Sequence, residues 1–173
     1  VDRAAHLVDQ LLGMARLEPT ARQAAFTKLS LDALVKDTVA EFSAQAEARD
    51  IDLGVGECQS LAINGQSDSL RMMLGNLIDN AVRYTPSGGR VDVELREQDG
   101  MALLSVSDNG PGIPAHERER VFERFQRLAG ANIPGSGLGL AIVRQVVELH
   151  GGSVALGDTP GGGLKVTLIF HLY

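Results

Sequence analysis

The stretch LRMMLGNLIDNAVRY, residues 70–84, organises the chain around one helix. Its apolar residues recur every three or four positions, which is the spacing of a helix with one buried face. They are Leu70, Met73, Leu74, Leu77, Ile78 and Ala81. Asn76, Asn80 and Arg83 follow a second stripe at i, i+4 and i+7. The stretch predicts a helix that packs on a core along one side and presents polar groups along the next.

The two asparagines of this helix allow two interpretations. A solvated polar stripe is the simpler one. However, asparagine favours helix caps over helix interiors, so two of them one turn apart need a reason. A side-chain amide oxygen is a hard, neutral ligand that Mg²⁺ accepts next to phosphate oxygens. The pattern favours this second, functional interpretation.

The segments on either side of the helix predict an α+β fold. The predicted helices are residues 30–49, 66–84 and 138–150, and the predicted strands are 51–55, 61–64, 91–95, 101–107, 153–156 and 164–172. Ser30 is the expected cap of the first helix. Helices and mainly antiparallel strands that segregate in this way predict an α+β sandwich.

Residues 1–18 predict a helix of another kind. Its apolar residues alternate at spacings of three and four, the narrow seam of a helix that packs against other helices. They are Val1, Ala4, Val8, Leu11 and Ala15. An amphipathic helix lying on its own domain fits the spacing equally well. Pro19 ends the pattern, residues 19–29 are interpreted as a linker, and residues 30–173 as the main domain.

The composition excludes several classes of protein. The 173 residues are 44% hydrophobic and 22% charged, a globular mixture that can bury a core. The net charge of −6 argues against a nucleic-acid or anionic-membrane surface, because either would need a basic excess. Cys58 is the single cysteine, so no internal disulfide forms. No apolar stretch is long enough to span a bilayer, so we expect this chain itself to lie outside the membrane.

Asp108 begins a second candidate motif, DNGPGI, residues 108–113, where an apolar strand ends. An Asx-type turn is the simpler interpretation and, for the motif alone, the favoured one. Alternatively, the carboxylate accepts a hydrogen bond from an amino group while Gly110 and Gly112 let a flat ligand approach the backbone.

Two further motifs follow between this turn and the third helix. Glycines in GSGLGL, residues 135–140, run into a helix, where backbone N–H groups and the helix dipole favour phosphate. The loop is neither a P-loop nor a dinucleotide fingerprint, because the lysine and the preceding strand are missing. In FERFQR, residues 122–127, an amphipathic turn is the default interpretation. Near a phosphate loop, Arg124 or Arg127 could clamp a γ-phosphate.

Taken in order, these motifs resemble the N, G1, F, G2 and G3 boxes of histidine kinases, from about residue 70 to the C-terminus. The resemblance implies the Bergerat fold, a two-layer sandwich with helices on one face of a mixed sheet. It implies ATP and Mg²⁺ as cofactors. It also implies transfer of the γ-phosphoryl group to a histidine, for relay to a response-regulator aspartate.

The resemblance assigns site residues by position. Asn80 would be the Mg²⁺ ligand and Asn76 its neighbour on the phosphate side. Arg83 stands where the family often has lysine, and Tyr84 where an aromatic ring lies against adenine. Asp108 would accept the adenine amino group.

The glycine-rich turns would complete this site. Gly110, Gly112 and Ile113 would shape the adenine pocket, and Gly161 and Gly163 would close the rear. The triphosphate would lie on the loop formed by Gly135, Ser136, Gly137, Leu138, Gly139 and Leu140. A lid over ATP would extend from about residue 123 to 136 and carry Arg124, Phe125 and Arg127.

The sequence LVDQLL, residues 7–12, resembles the second helix of a kinase dimerisation hairpin, close to QseC-like sensor kinases. The acceptor motif of the first hairpin helix is absent, and His6 lies on the wrong helix. We therefore expect the phosphoacceptor histidine outside this chain. The resemblance implies a homodimer through the hairpin helices, a response-regulator receiver domain as partner, and the cytoplasmic portion of a bacterial inner-membrane sensor.

Two other functions are weighed against phosphoryl transfer. ATPases of the same superfamily, such as gyrase, mismatch-repair ATPases and heat-shock chaperones, need a carboxylate one turn before the metal asparagine to activate water. That position is Asn76 here, and an amide is no base. A nucleotide-gated interaction module is disfavoured because the series of boxes is complete.

Overall fold

The computed structural model of the chain describes residues 25–123 and 137–173. Within these ranges the helices are α1 (Leu31–Glu47), α2 (Ser67–Tyr84) and α3 (Gly139–Leu149). The strands are β1 (Thr27–Ser30), β2 (Asp52–Cys58), β3 (Ala62–Gly65), β4 (Arg90–Gln98), β5 (Met101–Asp108), β6 (Ser153–Asp158) and β7 (Leu164–His171). Two short 3₁₀ turns, Ala115–Glu117 and Arg120–Phe122, follow β5.

The main sheet has five strands in the order β2-β4-β5-β7-β6. The outer strand β2 lies parallel to β4, and all other neighbours are antiparallel. Alternate residues of the central strands are buried, as Val91, Val93 and Leu95 of β4 show. This alternation marks a sheet covered on one face. The predicted α+β sandwich with a mixed, mainly antiparallel sheet is confirmed.

The helices bury their apolar stripes against this sheet. The stripe predicted for α2 is almost completely buried, with Leu70, Met73, Leu74 and Ile78 at 0% exposure. Neighbouring helices contact α2 on both sides, α1 on one and α3 on the other. Truncating such a buried leucine to alanine costs about 2–5 kcal/mol. The position of α2 is therefore strongly determined, and with it the direction of its polar stripe.

Helix α1 begins where the sequence predicts. Ser30 is its cap, and the Ser30 hydroxyl accepts a hydrogen bond from the backbone N–H of Ala33 at 3.5 Å. The helix ends at Glu47, two residues before the predicted end at Arg49. Differences of this size are usual at helix ends, which fray.

One strand was not predicted. Residues 27–29, part of the predicted linker, belong to β1, which pairs antiparallel with β3. The C-terminus adds to this small sheet, because the N–H of Tyr173 donates to the carbonyl of Ala62 at 2.8 Å. The pairing partners are distant in sequence, so no local pattern announces them. The predicted hairpin helix, residues 1–18, and residues 19–24 lie outside the described residues, and the domain boundaries stay a prediction.

The outer strands of the main sheet are short or irregular. In β2 the register shifts between Val55 and Cys58, and β6 has only six residues. Of the helices that the structure describes, none combines the length and the apolar character that crossing a membrane requires.

Candidate functional site

The two asparagines of α2 face the first residue of α3. A Cβ added to Gly139 would lie 2.9 Å from Asn80 Nδ2 and 3.4 Å from Asn76 Oδ1. The amide of Asn76 is anchored, because its Nδ2 donates to the carbonyl of Met72 at 2.8 Å. Any larger residue at position 139 would make the Asn80 amide move away from the start of α3. The two asparagines of the predicted polar stripe therefore meet Gly139, which belongs to the described part of the predicted glycine loop.

The N-terminus of α3 offers backbone donors beside these amides. The first N–H groups of a helix have no partner within the helix, and the dipole makes this end partly positive. Gly137 has a φ of +70°, a left-handed conformation that favours glycine. Leu138 is buried and Leu140 half-buried. Both leucines therefore anchor the helix start with their side chains.

Asp108 lies in a buried turn at the end of β5. Only 7% of its surface is exposed. Its Oδ1 accepts hydrogen bonds from the N–H groups of Gly110, at 2.9 Å, and Leu164, at 3.1 Å. Burial raises the pKa of the Asp108 carboxyl above its usual value, although the two N–H groups act in the opposite direction. The carboxylate is thus fixed between this turn and the start of β7.

Glycine backbones pack tightly around Asp108. Gly163 has a φ of +111°, and a Cβ there would lie 1.9 Å from the carbonyl oxygen of Asp108. A Cβ on Gly112 would lie 3.0 Å from the oxygen of Gly163, and one on Gly110 would lie 3.0 Å from that of Tyr84. The turns after β5 and before β7 and the end of α2 therefore contact one another through backbone. Gly161 differs, since a Cβ there would meet nothing within 4 Å.

Arg83 takes a position different from that of the asparagines. Its Nε lies 2.8 Å from Asp79 Oδ2, an ion pair one turn apart on α2. Gln45 of α1 donates to the other oxygen of Asp79 at 2.9 Å. The structure therefore joins Arg83 to the α1 side of the helix. The i, i+4 spacing of Asp79 and Arg83 is a signal that the sequence analysis missed.

Residues 65–173 match the family described as histidine kinase-, DNA gyrase B- and HSP90-like ATPase. The chain belongs to this family. It is 40% identical over 168 residues to the sensor protein kinase PmrB of Pseudomonas aeruginosa, covering 96% of this chain and 35% of PmrB. It is 37% identical over 166 residues to the sensor protein QseC of Escherichia coli K12, covering 95% of this chain and 36% of QseC.

A solved structure agrees with the family assignment. The mycobacterial sensor histidine kinase MprB matches with a TM-score of 0.76 and 35% identity, covering 85% of this chain and 97% of that one. The chain spans about a third of the length of the curated relatives it matches. The resemblance to histidine kinases, including QseC-like ones, and the predicted ATP-binding catalytic domain are confirmed.

Several predicted site residues of this ATPase-family domain lie outside the described residues. They are Arg124, Phe125, Arg127, Gly135 and Ser136. The predicted lid, about residues 123–136, falls almost entirely in the same gap. The roles assigned to these residues stay predictions.

Arg118 is a residue that the sequence analysis did not select. Its Nε donates to the carbonyl of Ile113 at 3.0 Å, and its Nη2 lies 2.5 Å from Asp158 Oδ1. Ile113 itself is buried, with 7% exposure. Arg118 therefore ties the loop that follows Gly112 to the end of β6. Asp158 lies 40 residues further along the chain, so sequence spacing offered no signal.

The residues present fit the Mg²⁺ that the family implies. Asn80 and Asn76 supply amide oxygens beside an anion-favouring helix start. Among residues 25–123 and 137–173, no group of three His, Cys, Asp or Glu side chains is placed to hold a metal ion. Mg²⁺ usually keeps several waters and binds through few protein ligands plus substrate phosphates. This donor set therefore suits a cation that arrives with a phosphate ligand.

Proposed function

We propose that this domain binds Mg-ATP and transfers the γ-phosphoryl group to a histidine outside the chain, for relay to a response-regulator aspartate. The observation that carries the proposal is the contact between the Asn76 and Asn80 amides and the start of α3 at Gly139. It combines amide oxygens for a cation with backbone N–H groups for phosphate. The family assignment supports the use of ATP.

Each end of the site has its own part in this proposal. Asn80 would hold Mg²⁺, whose charge would offset the negative charge of the phosphates, and Asn76 would face the phosphates. Asp108, fixed by two backbone N–H groups, would accept the adenine amino group next to Tyr84 and Gly110. Asn76 and Tyr84 lie about 12 Å apart along α2 at 1.5 Å per residue. One extended ligand is therefore needed to reach both ends.

Charge neutralisation at the γ-phosphate would come from arginines and from the α3 start. Phosphoryl transfer depends on positioning and electrostatic stabilisation more than on covalent help. Arg83 is half-buried in its pair with Asp79, so engaging phosphate would require it to leave that carboxylate. Arg124 and Arg127 are the other proposed clamps. The acceptor histidine brings its own nucleophilic nitrogen.

Two contacts favour transfer over hydrolysis. The residue one turn before Asn80 is Asn76, whose amide donates to Met72 and cannot take a proton from water. The nearby carboxylate on the same helix, Asp79, is bonded to Arg83 and Gln45 on the α1 side. Neither residue is therefore placed as the base that a family ATPase needs.

The test is incubation of the chain with γ-labelled ATP. Alone, the chain should bind Mg-ATP, acquire little label and release phosphate slowly. A second polypeptide carrying the complete hairpin of the same parent protein should become labelled, and the label should be acid-labile, as phosphohistidine is. The Asn80→Ala variant should fail to label the hairpin and serves as the matched control.

Two outcomes would contradict the proposal. Strong acid-labile label on the chain itself would place the acceptor within it, and His6→Gln would be the first variant to examine. Fast phosphate release without label on either polypeptide would favour an ATPase.

We further propose that the domain belongs to the cytoplasmic portion of a bacterial inner-membrane sensor that dimerises through its hairpin helices. The relatives PmrB and QseC are named sensor proteins, and each is almost three times as long as the aligned region. The expected partners are ATP, a response-regulator receiver domain and a second copy of the parent. Light scattering should give a dimer for the hairpin-containing protein and a monomer for residues 25–173.

A further inference from the structure

His150 lies where four elements of the fold meet. It is the last, capping residue of α3. Its ring contacts Phe26, just before β1, with ring centroids 5.0 Å apart, and Phe170 of β7 edge-on at 6.3 Å. A Cβ added to Gly65, just before α2, would lie 3.1 Å from the ring. The proposed function gives this histidine no role.

Both ring nitrogens of His150 are engaged. The backbone N–H of Gln66, the cap of α2, donates to Nε2 at 3.1 Å. Nδ1 lies 2.7 Å from the carbonyl oxygen of Val146. An N–H can only donate and a carbonyl can only accept, so Nε2 must carry no proton and Nδ1 must carry one. These contacts require one neutral tautomer of the imidazole.

The hydrogen bond from Gln66 to His150 joins the two helices that form the proposed phosphate end of the site, in addition to their apolar packing. Gly139 and His150 lie eleven residues apart on α3, and Asn76 lies ten residues after Gln66 on α2. The helices are therefore antiparallel, and the two spans between the contacts are similar, about 16 Å on α3 and about 15 Å on α2. At one end the Asn76 and Asn80 amides meet Gly139, and at the other Gln66 meets His150. Sliding α2 along α3 would break both contacts.

We propose that His150 is a positioning residue for the nucleotide site: its neutral ring holds the start of α2 against the end of α3 and thereby keeps Asn80 facing Gly139. Through Phe26 the same ring contacts the segment that leads to residues 1–24. A displacement of that segment would thus be transmitted to α2 through the His150 side chain. The link to the site rests on the proposed function, whereas the contact between the helices does not.

Protonation would break this contact. An imidazolium has N–H groups on both nitrogens, so Nε2–H would face the N–H of Gln66. The groups around the ring are Phe26, the Gln66 amide, the Val146 carbonyl and Phe170. No ion pair to His150 exists in the described part of the chain. Burial lowers the pKa of His150, against the opposing effect of the Val146 carbonyl.

The sign of the pH dependence follows from this direction. An unfolded histidine binds a proton below about pH 6.5, whereas the native ring resists it. The stabilising contribution of the neutral ring is therefore complete above that pH and is lost as the pH falls below it. Nucleotide binding by the folded protein depends on the native ring, so it should weaken only as the pH falls through the lowered pKa of His150 itself.

The experiment compares the wild type with His150→Phe, His150→Gln and a control, His116→Gln. Phenylalanine keeps the ring but neither hydrogen bond, and glutamine offers an uncharged acceptor that does not titrate. His116 is exposed and lies outside the proposed site, so its variant should behave as the wild type. The readouts are the ¹⁵N–¹H correlation of the imidazole, amide exchange at Gln66, and Mg-ADP affinity by calorimetry at pH 7.5 and 5.5.

The expected results separate positioning from mere packing. At pH 7.5 the wild-type ring should carry its proton on Nδ1. In His150→Phe the Gln66 amide should exchange faster, and Mg-ADP should bind about 2- to 10-fold more weakly, the effect of losing the one hydrogen bond that joins the ring to α2. His150→Gln should retain most of the affinity and show a flatter pH profile than the wild type.

Three results would overturn the inference. They are a proton on Nε2 at pH 7.5, unchanged Gln66 exchange in His150→Phe, and wild-type Mg-ADP affinity in that variant. Failure of the wild type itself to bind Mg-ADP would instead refute the proposed function. In that event the imidazole spectrum and Gln66 exchange still decide whether His150 joins the helices.

Discussion

Gly139→Ala tests the contact on which the proposed site depends. The added Cβ would lie 2.9 Å from Asn80 Nδ2 and 3.3 Å from its Oδ1. Optimal separation for such atoms begins at about 3.5 Å, so the Asn80 amide must retreat by roughly 0.6 Å. Metal–ligand distances tolerate only about 0.2 Å, and Mg²⁺ demands near-ideal geometry. The substitution should therefore displace the Asn80 amide from the Mg²⁺ position although residue 80 itself remains an asparagine.

The expected magnitudes differ between stability and binding. The crowded atoms are at the end of a side chain that can rotate, and alanine in a helix is favoured over glycine by up to about 1 kcal/mol. The melting temperature should therefore change by no more than about 4 °C. Loss of one charge-assisted contact is worth about 1.5–3 kcal/mol, so Mg-ATP should bind about 10- to 100-fold more weakly.

The assay is a thermal melt together with calorimetric titration of ATP, with and without Mg²⁺. Gly157→Ala is the matched control, because a Cβ there meets nothing within 4 Å. A double variant with Asn80→Ala should bind no worse than Asn80→Ala alone, since both changes act through one side chain. Wild-type Mg²⁺-dependent affinity in Gly139→Ala, or additive losses in the double variant, would refute the reasoning.

Asn80 and Asp108 provide further tests. Asn80→Ala should keep the fold and lose Mg²⁺-dependent nucleotide binding; an unchanged ATP titration would remove Asn80 from the site. The wild type should bind ADP well above GDP, because guanine places a carbonyl oxygen opposite the buried acceptor Asp108, and Asp108→Asn should lose much of this preference; equal wild-type affinities would refute the assignment. Because burial raises the pKa of Asp108, its ionised form destabilises the nucleotide-free protein. Asp108→Asn should therefore raise the melting temperature at pH 7, with a gain that shrinks as the pH falls towards 4, and an equal gain at both pH values would contradict this.

Local periodicity was sufficient for the helices and most strands. The stripe of α2 depends on residues three and four apart, and burial of Leu70 to Ile78 in the structure follows directly from that spacing. The same holds for the alternation of Val91, Val93 and Leu95. Strand β1 and the parallel pairing of β2 with β4 depend on partners far along the chain. Neither helical nor strand periodicity indicates which distant segment a strand will pair with.

The candidate site likewise has features that the sequence predicted and features that only the structure shows. The order of the motifs predicted Asn76, Asn80, Asp108 and Gly139 as site residues, and the structure brings Asn76 and Asn80 to Gly139. The contacts that hold these residues could not be derived, because they join distant segments, as Arg118 joins Ile113 to Asp158. The pair of Asp79 with Arg83 could have been read from its spacing, and only the structure shows that Gln45 completes it.

The outer strands of the main sheet have a consequence for copies of the domain held close together. An open edge offers unpaired N–H and C=O groups to a strand of another molecule. In β2 the register breaks between Val55 and Cys58, which interrupts any regular ladder along this edge. β6 ends at Asp158, a charged and largely exposed residue. Both features should disfavour pairing between the edge strand of one copy and that of a neighbouring copy.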